Sequence, residues 1–352
     1  WTVKNMLSGW IYLSSGLLLS HKISKSYPAA GHRNVDHSAP TPIKTREIEE
    51  REEMHWLVVL DSVEGLNPKT DTSLALITQG RKSGVQVDTA TIDKLFFDGQ
   101  GAVMAEDATG GEHRRNMSEY DLILMRKEPP YDIAFHYSTH LLSLSGTLVV
   151  NAPSALRDFN EKLITLPFYQ YMPSTLVSSS VEQILAFLSS HDGGIIKALD
   201  SFQGKSVQRV TAADRQLVEN YTGNGTQPIM VQEFLDSVYE GDKRVLMLGK
   251  QFLGASLRRP KKGYHANFAM SDALPTALSS REQQIVEELG PWMVDRGIHF
   301  AGLDFIGDTL TEINITCPTG IMQVSELEGR NLAQEMVDYF VILCEKAGNG
   351  DV

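Results

Sequence analysis

The sequence predicts a parallel α/β domain followed by an α+β region. Three observations carry that prediction. Short valine- and leucine-rich runs alternate with helical stretches between residues 55 and 151, and the second half is a run of strands with fewer helices between them. No glycine-rich dinucleotide fingerprint follows the first strand. At 352 residues the chain can bury a large core in two or three domains.

The first stretch, MLSGWIYLSSGLLLS at residues 6–20, is apolar but shorter than the roughly 20 residues that span a bilayer. It reads as an appended leader or packed extension, so no membrane association is expected. Lys4 before it also fits an export or organelle leader, although no small-residue cleavage site follows. A Ser-, Pro- and His-rich stretch and the acidic cluster Glu47, Glu49, Glu50, Glu52 and Glu53 then read as a linker. Residues 1–53 are therefore assigned to leader or extension and linker, with the folded body beginning near Met54.

HWLVVLD (55–61) predicts a strand, TSLALITQGRKSG a helix ending at Gly84, and VQVDTAT the next strand. LDSVEGLNPKTD lacks the spacing of a Rossmann loop. The alternation repeats with DLILMR (121–126), a helix around 134–145 and TLVVN (147–151). Beyond it, LVS, GGIIKAL, KSVQRV, PIMVQEFL and DKRVLMLG predict strands paired antiparallel, with helices near 180–190, 279–296 and 323–346. The division that follows is an N-terminal α/β domain at 54–160 and a second domain at 161–347.

With 44 acidic against 32 basic residues, the net charge of -12 supplies no global field for a phosphate backbone, so nucleic acid is not expected as a partner. Cys317 and Cys344 are the only cysteines, which argues against a disulfide framework and fits a reducing, cytoplasmic compartment.

GLDFIGDTLTEINITCPTGI (302–321) is the most informative segment. Gly307-Asp308 signals a hairpin turn. Strand alternation puts Glu312 and Asn314 on one face, with Asp304 across from them. Three oxygen-bearing side chains of this kind suit a hard cation such as Mg²⁺; a solvated polar hairpin face is the plainer reading. The alternates Phe305, Ile313 and Ile315 imply that the other face covers a core. Lys197 sits in an apolar strand, where its ammonium must reach either water or an anion. Ser201, Gly204 and Ser206 follow it in a small-residue loop able to turn N–H groups toward phosphate. Lys162, in RDFNEKLITL, reads on its own as a solvated helix lysine. Gln232, Glu233, Phe234 and Leu235 end a strand and offer backbone groups to a purine edge, or form an ordinary polar strand end. Asp242-Lys243-Arg244 adds charge a few residues on, the arginines of Arg126-Lys127 and Arg258-Arg259 suit phosphates or carboxylates in a pocket gathered from several loops, and Lys261-Lys262 read as exposed solubilising charge. Cys317 has no nucleophile motif around it and reads as a small pocket-lining residue.

Taken together, MRKEPPYD (125–132), NAPSALRDFNEKL (151–163), IIKALD (195–200), GDKRVLML (241–248) and residues 302–321 resemble bacterial glutathione synthetase, an ATP-grasp carboxylate–amine ligase, over about Met54 to Lys346. The resemblance implies an N-terminal α/β substrate domain followed by a two-lobed ATP-grasp fold that closes over ATP and Mg²⁺, with Mn²⁺ as a substitute metal. It implies phosphate contacts from Lys162 and Lys197, an adenine hinge at Gln232 to Leu235 and a ribose contact from Asp242. Gly204 and Asn267 are expected among the nucleotide contacts. Arg244 would stabilise the transferring phosphate, Arg126 and Arg258 would meet substrate or phosphate, and Asp304, Glu312 and Asn314 would hold the metal. The implied substrates are γ-glutamylcysteine and glycine, and the implied assembly is a homo-oligomer.

Departures from the family pattern accompany it. Asp200-Ser201-Phe202-Gln203-Gly204 stands where the family carries Asp-Gly-Met-Gly-Gly, and the added side chains restrict that backbone. KGYHANFAMSDA keeps Asn267 but loses an arginine, a glutamate and paired glycines, and Cys317 replaces a common serine. A ligase joining a different carboxylate and amine, or a nucleotide-binding protein without catalysis, fits these changes.

Overall fold

The computed structural model of the chain describes residues 53–106, 114–200, 207–261, 263–264, 268 and 271–350. The proposed leader and linker therefore lie outside the described residues, except for Glu53.

The first region is the expected parallel sheet. Strands β1 (His55–Val59), β2 (Gln86–Ala90), β6 (Leu122–Met125) and β7 (Val149–Val150) lie in the order β2-β1-β6-β7, all parallel. Their near-continuous apolar character follows from burial on both faces: Trp56, Leu57, Val58 and Val59 are all at most 1% exposed. Helix α1 (Thr72–Lys82) starts where the Asp71 carboxylate accepts from Leu74 N at 2.7 Å, and Gly84 just beyond it takes φ +84°, as a helix stop requires. Helix α2 (Ile133–Ser143) is capped in the same way by Asp132.

Sequence periodicity missed a small antiparallel sheet between β2 and β6, formed by β3 (Leu95–Phe97), β4 (Val103–Glu106) and β5 (Arg114–Asn116). Strands of three or four residues are too short for their alternation to stand out. It also missed helix α3 (Pro153–Asp158), one and a half turns begun by a proline.

Two antiparallel sheets follow. The first has the order β10-β9-β11-β8, from β8 (Thr175–Ser178), β9 (Gly194–Ala198), β10 (Val207–Val210) and β11 (Ile229–Gln232), and is backed by helices α4 (Val181–Ser190) and α5 (Arg215–Tyr221). The second has the order β14-β13-β12-β15-β16, from β12 (Asp242–Leu248), β13 (Gln251–Pro260), β14 (Ser271–Pro275), β15 (Phe300–Ile306) and β16 (Thr309–Asn314). Helix α6 (Ser280–Val294) packs against it and opens with a reciprocal Ser279–Glu282 capping box. The single helix expected over 323–346 is two, α7 (Ile321–Glu328) and α8 (Leu332–Gly348). Gly329 at φ +65° ends the first, and the Asn331 side chain caps the second.

The cores cross the expected boundary near residue 160. One apolar cluster joins Leu57, Val59, Ile123 and Met125 of the parallel sheet to Val245, Leu303, Phe305 and Ile313 of the five-stranded sheet. A second joins the opposite face of β1 and β6 to α1, α8, Leu246 and Leu248. Among the described residues, the sheet of β8–β11 alone has an apolar cluster of its own, around Ile184, Leu188, Ile196 and Val231.

Candidate active site

A cavity of about 430 Å³ lies between the two antiparallel sheets. Register builds its floor. Asp242 and Arg244 are two residues apart on β12 and share a face. Arg258 pairs with Asp242 across β12–β13, Asp304 with Arg244 across β12–β15, and Glu312 with Asp304 across β15–β16. Asn314 is opposite Gly302 one step further. The turn Gly307-Asp308 joins β15 to β16 as its sequence predicts, with Gly307 at φ +57°. Phe305, Ile313 and Ile315, at most 1% exposed, face the core. A register shift beside Asp304 leaves Thr311 as an extra residue, whose hydroxyl donates to Asp304 O at 3.0 Å.

Asp304 is the electrostatic centre. Arg244 donates to it through Nε at 2.5 Å and Nη2 at 3.0 Å, Arg258 Nη2 lies 2.9 Å from Oδ1, and Asn314 Nδ2 donates to Oδ2 at 3.1 Å. Burial raises the acid's proton affinity, but the two guanidinium groups outweigh it and hold the carboxyl at about 2. Asp242 titrates at the other extreme. Burial pushes it to about 6, with the Asp304 charge adding to the rise and Arg258, 2.8 Å away, only partly offsetting it. Burial works against the Arg258 charge, yet Asp242 and Asp304 together raise its pKa further. Phe268 lies over this group, its ring 5.4 Å from the Arg258 guanidinium carbon and 6.0 Å from that of Arg244. A side chain at Gly320 would collide with that ring at 2.8 Å.

Two lysines reach the same volume. Lys162, expected to be solvated, is 5% exposed at the head of a 3₁₀ stretch, Leu163–Tyr171, with Nζ 3.5 Å from Glu312 Oε1. Lys197 reaches inward from β9 and donates to Thr311 O at 3.3 Å. Burial lowers its pKa; Glu312 opposes that shift and the Lys162 charge adds to it. At the strand end, Gln232 Nε2 donates to Thr175 Oγ1 at 3.0 Å, and Glu233 exchanges backbone and side-chain bonds with Ser174. Phe234 and Leu235 line the cavity, and Arg209 covers the Phe234 ring at 4.0 Å.

Sequence reasoning overlooked Glu161. It lines the cavity and accepts from the N–H groups of Ile315 and Thr316, each at 2.8 Å, while its carbonyl accepts from Ile313 N at 3.2 Å. Glu161 thereby fixes the end of β16 that carries Glu312 and Asn314. Burial, and secondarily the Glu312 charge, raises its pKa. Its adjacency to Lys162 in the motif NEKL was the available signal.

Arg126, expected to meet substrate or phosphate, lies beside the cavity. It is buried under the Cys-Pro-Thr-Gly turn, donating from Nε to Ser73 Oγ at 3.1 Å and from Nη2 to Pro318 O at 2.9 Å, and it is not among the cavity-lining side chains. The strand end that carries it feeds the turn's underside rather than the open volume. Lys127 pairs with Asp61 at 2.9 Å, and Lys261 with Asp272 at 3.2 Å. Cys317 does line the cavity, but burial pushes its thiol up to about 12 and Sγ donates to Arg126 O, so it is no nucleophile. Gly204 and Asn267 lie outside the described residues.

The residues fit a polyphosphate and a hard cation. Arg258 Nε is a buried donor without a partner among the described residues, and two lysines and Arg244 surround the same volume. Glu312 is 26% exposed, and with Asp304 and Asn314 it makes a set of oxygen-bearing side chains on one floor. Among the described residues no group of three or more His, Cys, Asp or Glu is arranged to hold a metal ion. No described helix is long and apolar enough to cross a membrane.

Comparison with known proteins adds the following. The family model for the N-terminal domain of prokaryotic glutathione synthetase matches residues 54–157, and that for the ATP-grasp domain of the same family matches 161–329. The chain is 39% identical over 300 residues to glutathione synthetase of Prochlorococcus marinus, covering 81% of this chain and 97% of that one. It is 36% identical over 309 residues to glutathione synthetase of Nitrosomonas europaea, covering 81% and 97%. In fold it is similar to macrocyclase MdnC bound with precursor peptide MdnA from Microcystis aeruginosa (TM-score 0.59, 18% identity, 82% of this chain and 99% of that one). It is also similar to D-cycloserine synthetase DcsG (TM-score 0.59, 15% identity, 80% and 99%).

Proposed function

Because the chain belongs to the prokaryotic glutathione synthetase family of ATP-grasp carboxylate–amine ligases, we propose that it joins γ-glutamylcysteine to glycine, forming glutathione, ADP and phosphate. A carboxylate oxygen of the dipeptide attacks the γ-phosphorus of ATP and ADP leaves. The amine of glycine then attacks the acylphosphate carbon, the C–O bond to phosphate breaks, and the nitrogen loses a proton. Hydroxide is a poor leaving group and phosphate a good one, which is why ATP is consumed.

The chain's own residues supply position and charge, the two things phosphoryl transfer most requires. Lys162 and Lys197 bind the nucleotide phosphates, and Gln232 to Leu235 hold the purine edge through backbone groups. Asp242 sits beside the ribose and keeps Arg258 in place. Arg244 and Arg258 face the phosphoryl group as it moves, where fixed cations act most strongly on charge that develops in the transition state. Asp304, Glu312 and Asn314 would hold Mg²⁺, which when bound neutralises phosphate oxygens. Glu161 positions the strand end that carries the last two. Arg126 stiffens the turn at Pro318 rather than meeting phosphate.

The observation that carries this reading is the paired row Arg244–Asp304–Glu312, with Arg258 and Asp242 beside it and Lys162 and Lys197 reaching the same cavity. Ser201, Gln203 and the altered 262–273 segment favour a second reading, a different carboxylate or amine. The full chain incubated with Mg²⁺, ATP and γ-glutamylcysteine should release phosphate and glutathione in equal amounts only when glycine is present. Turnover with another amine but not with glycine would establish the second reading, and no phosphate with any acceptor would remove both.

A further inference from the structure

Away from the cavity, helix α2 carries two histidines one turn apart, and nothing in the ligase reading uses them. His136 Nε2 and His140 Nε2 face each other at 3.2 Å. Residues four apart on a helix point the same way, so this is a pair set by backbone geometry rather than a chance meeting of loops. On the far side of its ring, His136 Nδ1 is 3.1 Å from the Tyr131 hydroxyl. That hydroxyl is held near the helix by its ring, packed on Phe135 at a centroid distance of 4.7 Å.

We infer that His136 and His140 form a surface chelate for a borderline divalent transition-metal ion such as Zn²⁺, with Tyr131 orienting the first ligand. Two Zn–N bonds of about 2.0–2.1 Å whose nitrogens are 3.2 Å apart subtend roughly 100°, between the octahedral and tetrahedral angles. The separation of the pair therefore matches that of two nitrogens bound to one ion. When Nδ1–H of His136 donates to the Tyr131 oxygen, the lone pair is left on Nε2, facing His140. This is the arrangement that orients metal-binding imidazoles elsewhere. His140 lies in the last turn of α2, where the helix dipole favours a cation. Imidazole nitrogens select zinc, copper or nickel over the hard Mg²⁺ of the cavity. With two protein ligands the remaining positions belong to water, so the ion exchanges freely.

Zn²⁺ uptake by the full chain, measured by competition with a chromophoric chelator at mildly alkaline pH, tests this. His136→Asn and His140→Asn should each lose one equivalent of Zn²⁺ relative to the unmodified chain, whatever else the chain binds, with far-UV circular dichroism unchanged. Tyr131→Phe should weaken that equivalent by about tenfold while retaining it. His191→Asn, on another element, should retain it in full. The same number of equivalents in both helix variants and the unmodified chain would overturn the chelate, and so would loss of an equivalent in His191→Asn alone. An unchanged affinity in Tyr131→Phe would overturn the tyrosine's part. None of these readouts depends on ligase turnover.

Discussion

Arg126 and Arg244 are both buried arginines, 4% and 6% exposed, yet they sit in regions that treat charge differently. Under the Cys-Pro-Thr-Gly turn, Arg126 donates to neutral oxygens of Ser73 and Pro318. On the cavity floor, Arg244 shares Asp304 with Arg258 and borders open volume. A buried cation alone therefore does not mark a site. Carboxylates shared between cations, beside space that a ligand can enter, distinguish the floor from the turn.

The largest break in this comparison is Asp304→Ala. It leaves two guanidinium groups buried without their common partner and should cost about 3–5 kcal/mol, read by denaturant unfolding, along with turnover. A stable, active variant would mean that the floor is held by something other than this carboxylate. Next comes Arg126→Met, which removes hydrogen bonds to a buried carbonyl. It should cost about 1–3 kcal/mol of stability and leave kcat near the unmodified value. A collapse of kcat with stability intact would move Arg126 to the substrate and erase the contrast.

Asp242 sharpens the picture through pH. Its carboxyl titrates at about 6 in the fold against an ordinary 3.8, so the folded state favours the protonated form. That contribution is complete below the ordinary value and is lost as pH rises through the folded one. Asp242→Asn cannot ionise, so its melting temperature relative to the unmodified chain should rise as pH increases across that window. A difference that stays flat would deny the buried charge its cost. The smallest effect is expected from Cys317→Ser: with its thiol at about 12, Cys317 should resist alkylation at neutral pH, and the variant should keep its kcat. Rapid alkylation that stops turnover would contradict this.

Much of the floor was legible because strand alternation fixes faces and a two-residue turn fixes register. Asp304, Glu312 and Asn314 come together as the segment 302–321 predicts. Less legible was what each group is bonded to. Both Asp304 oxygens are engaged by arginines from β12 and β13, a long-range pairing that no local pattern encodes. Lys162 looked like a solvated helix residue because its burial depends on Glu312 arriving from 150 residues away. Glu161 escaped for the same reason, its partners being backbone N–H groups of a distant strand end. The α/β opening was readable, but the shared cores were not. Apolar periodicity shows that a face is buried, and it does not say against which sheet.

The central claim is that the carboxylate is activated as an acylphosphate by this floor, and oxygen transfer tests it most directly. γ-Glutamylcysteine labelled with ¹⁸O in the carboxylate that accepts glycine, turned over with Mg²⁺ and ATP, should deliver one labelled oxygen to each phosphate released, detected by mass spectrometry. Unlabelled phosphate accompanying peptide product would contradict the account.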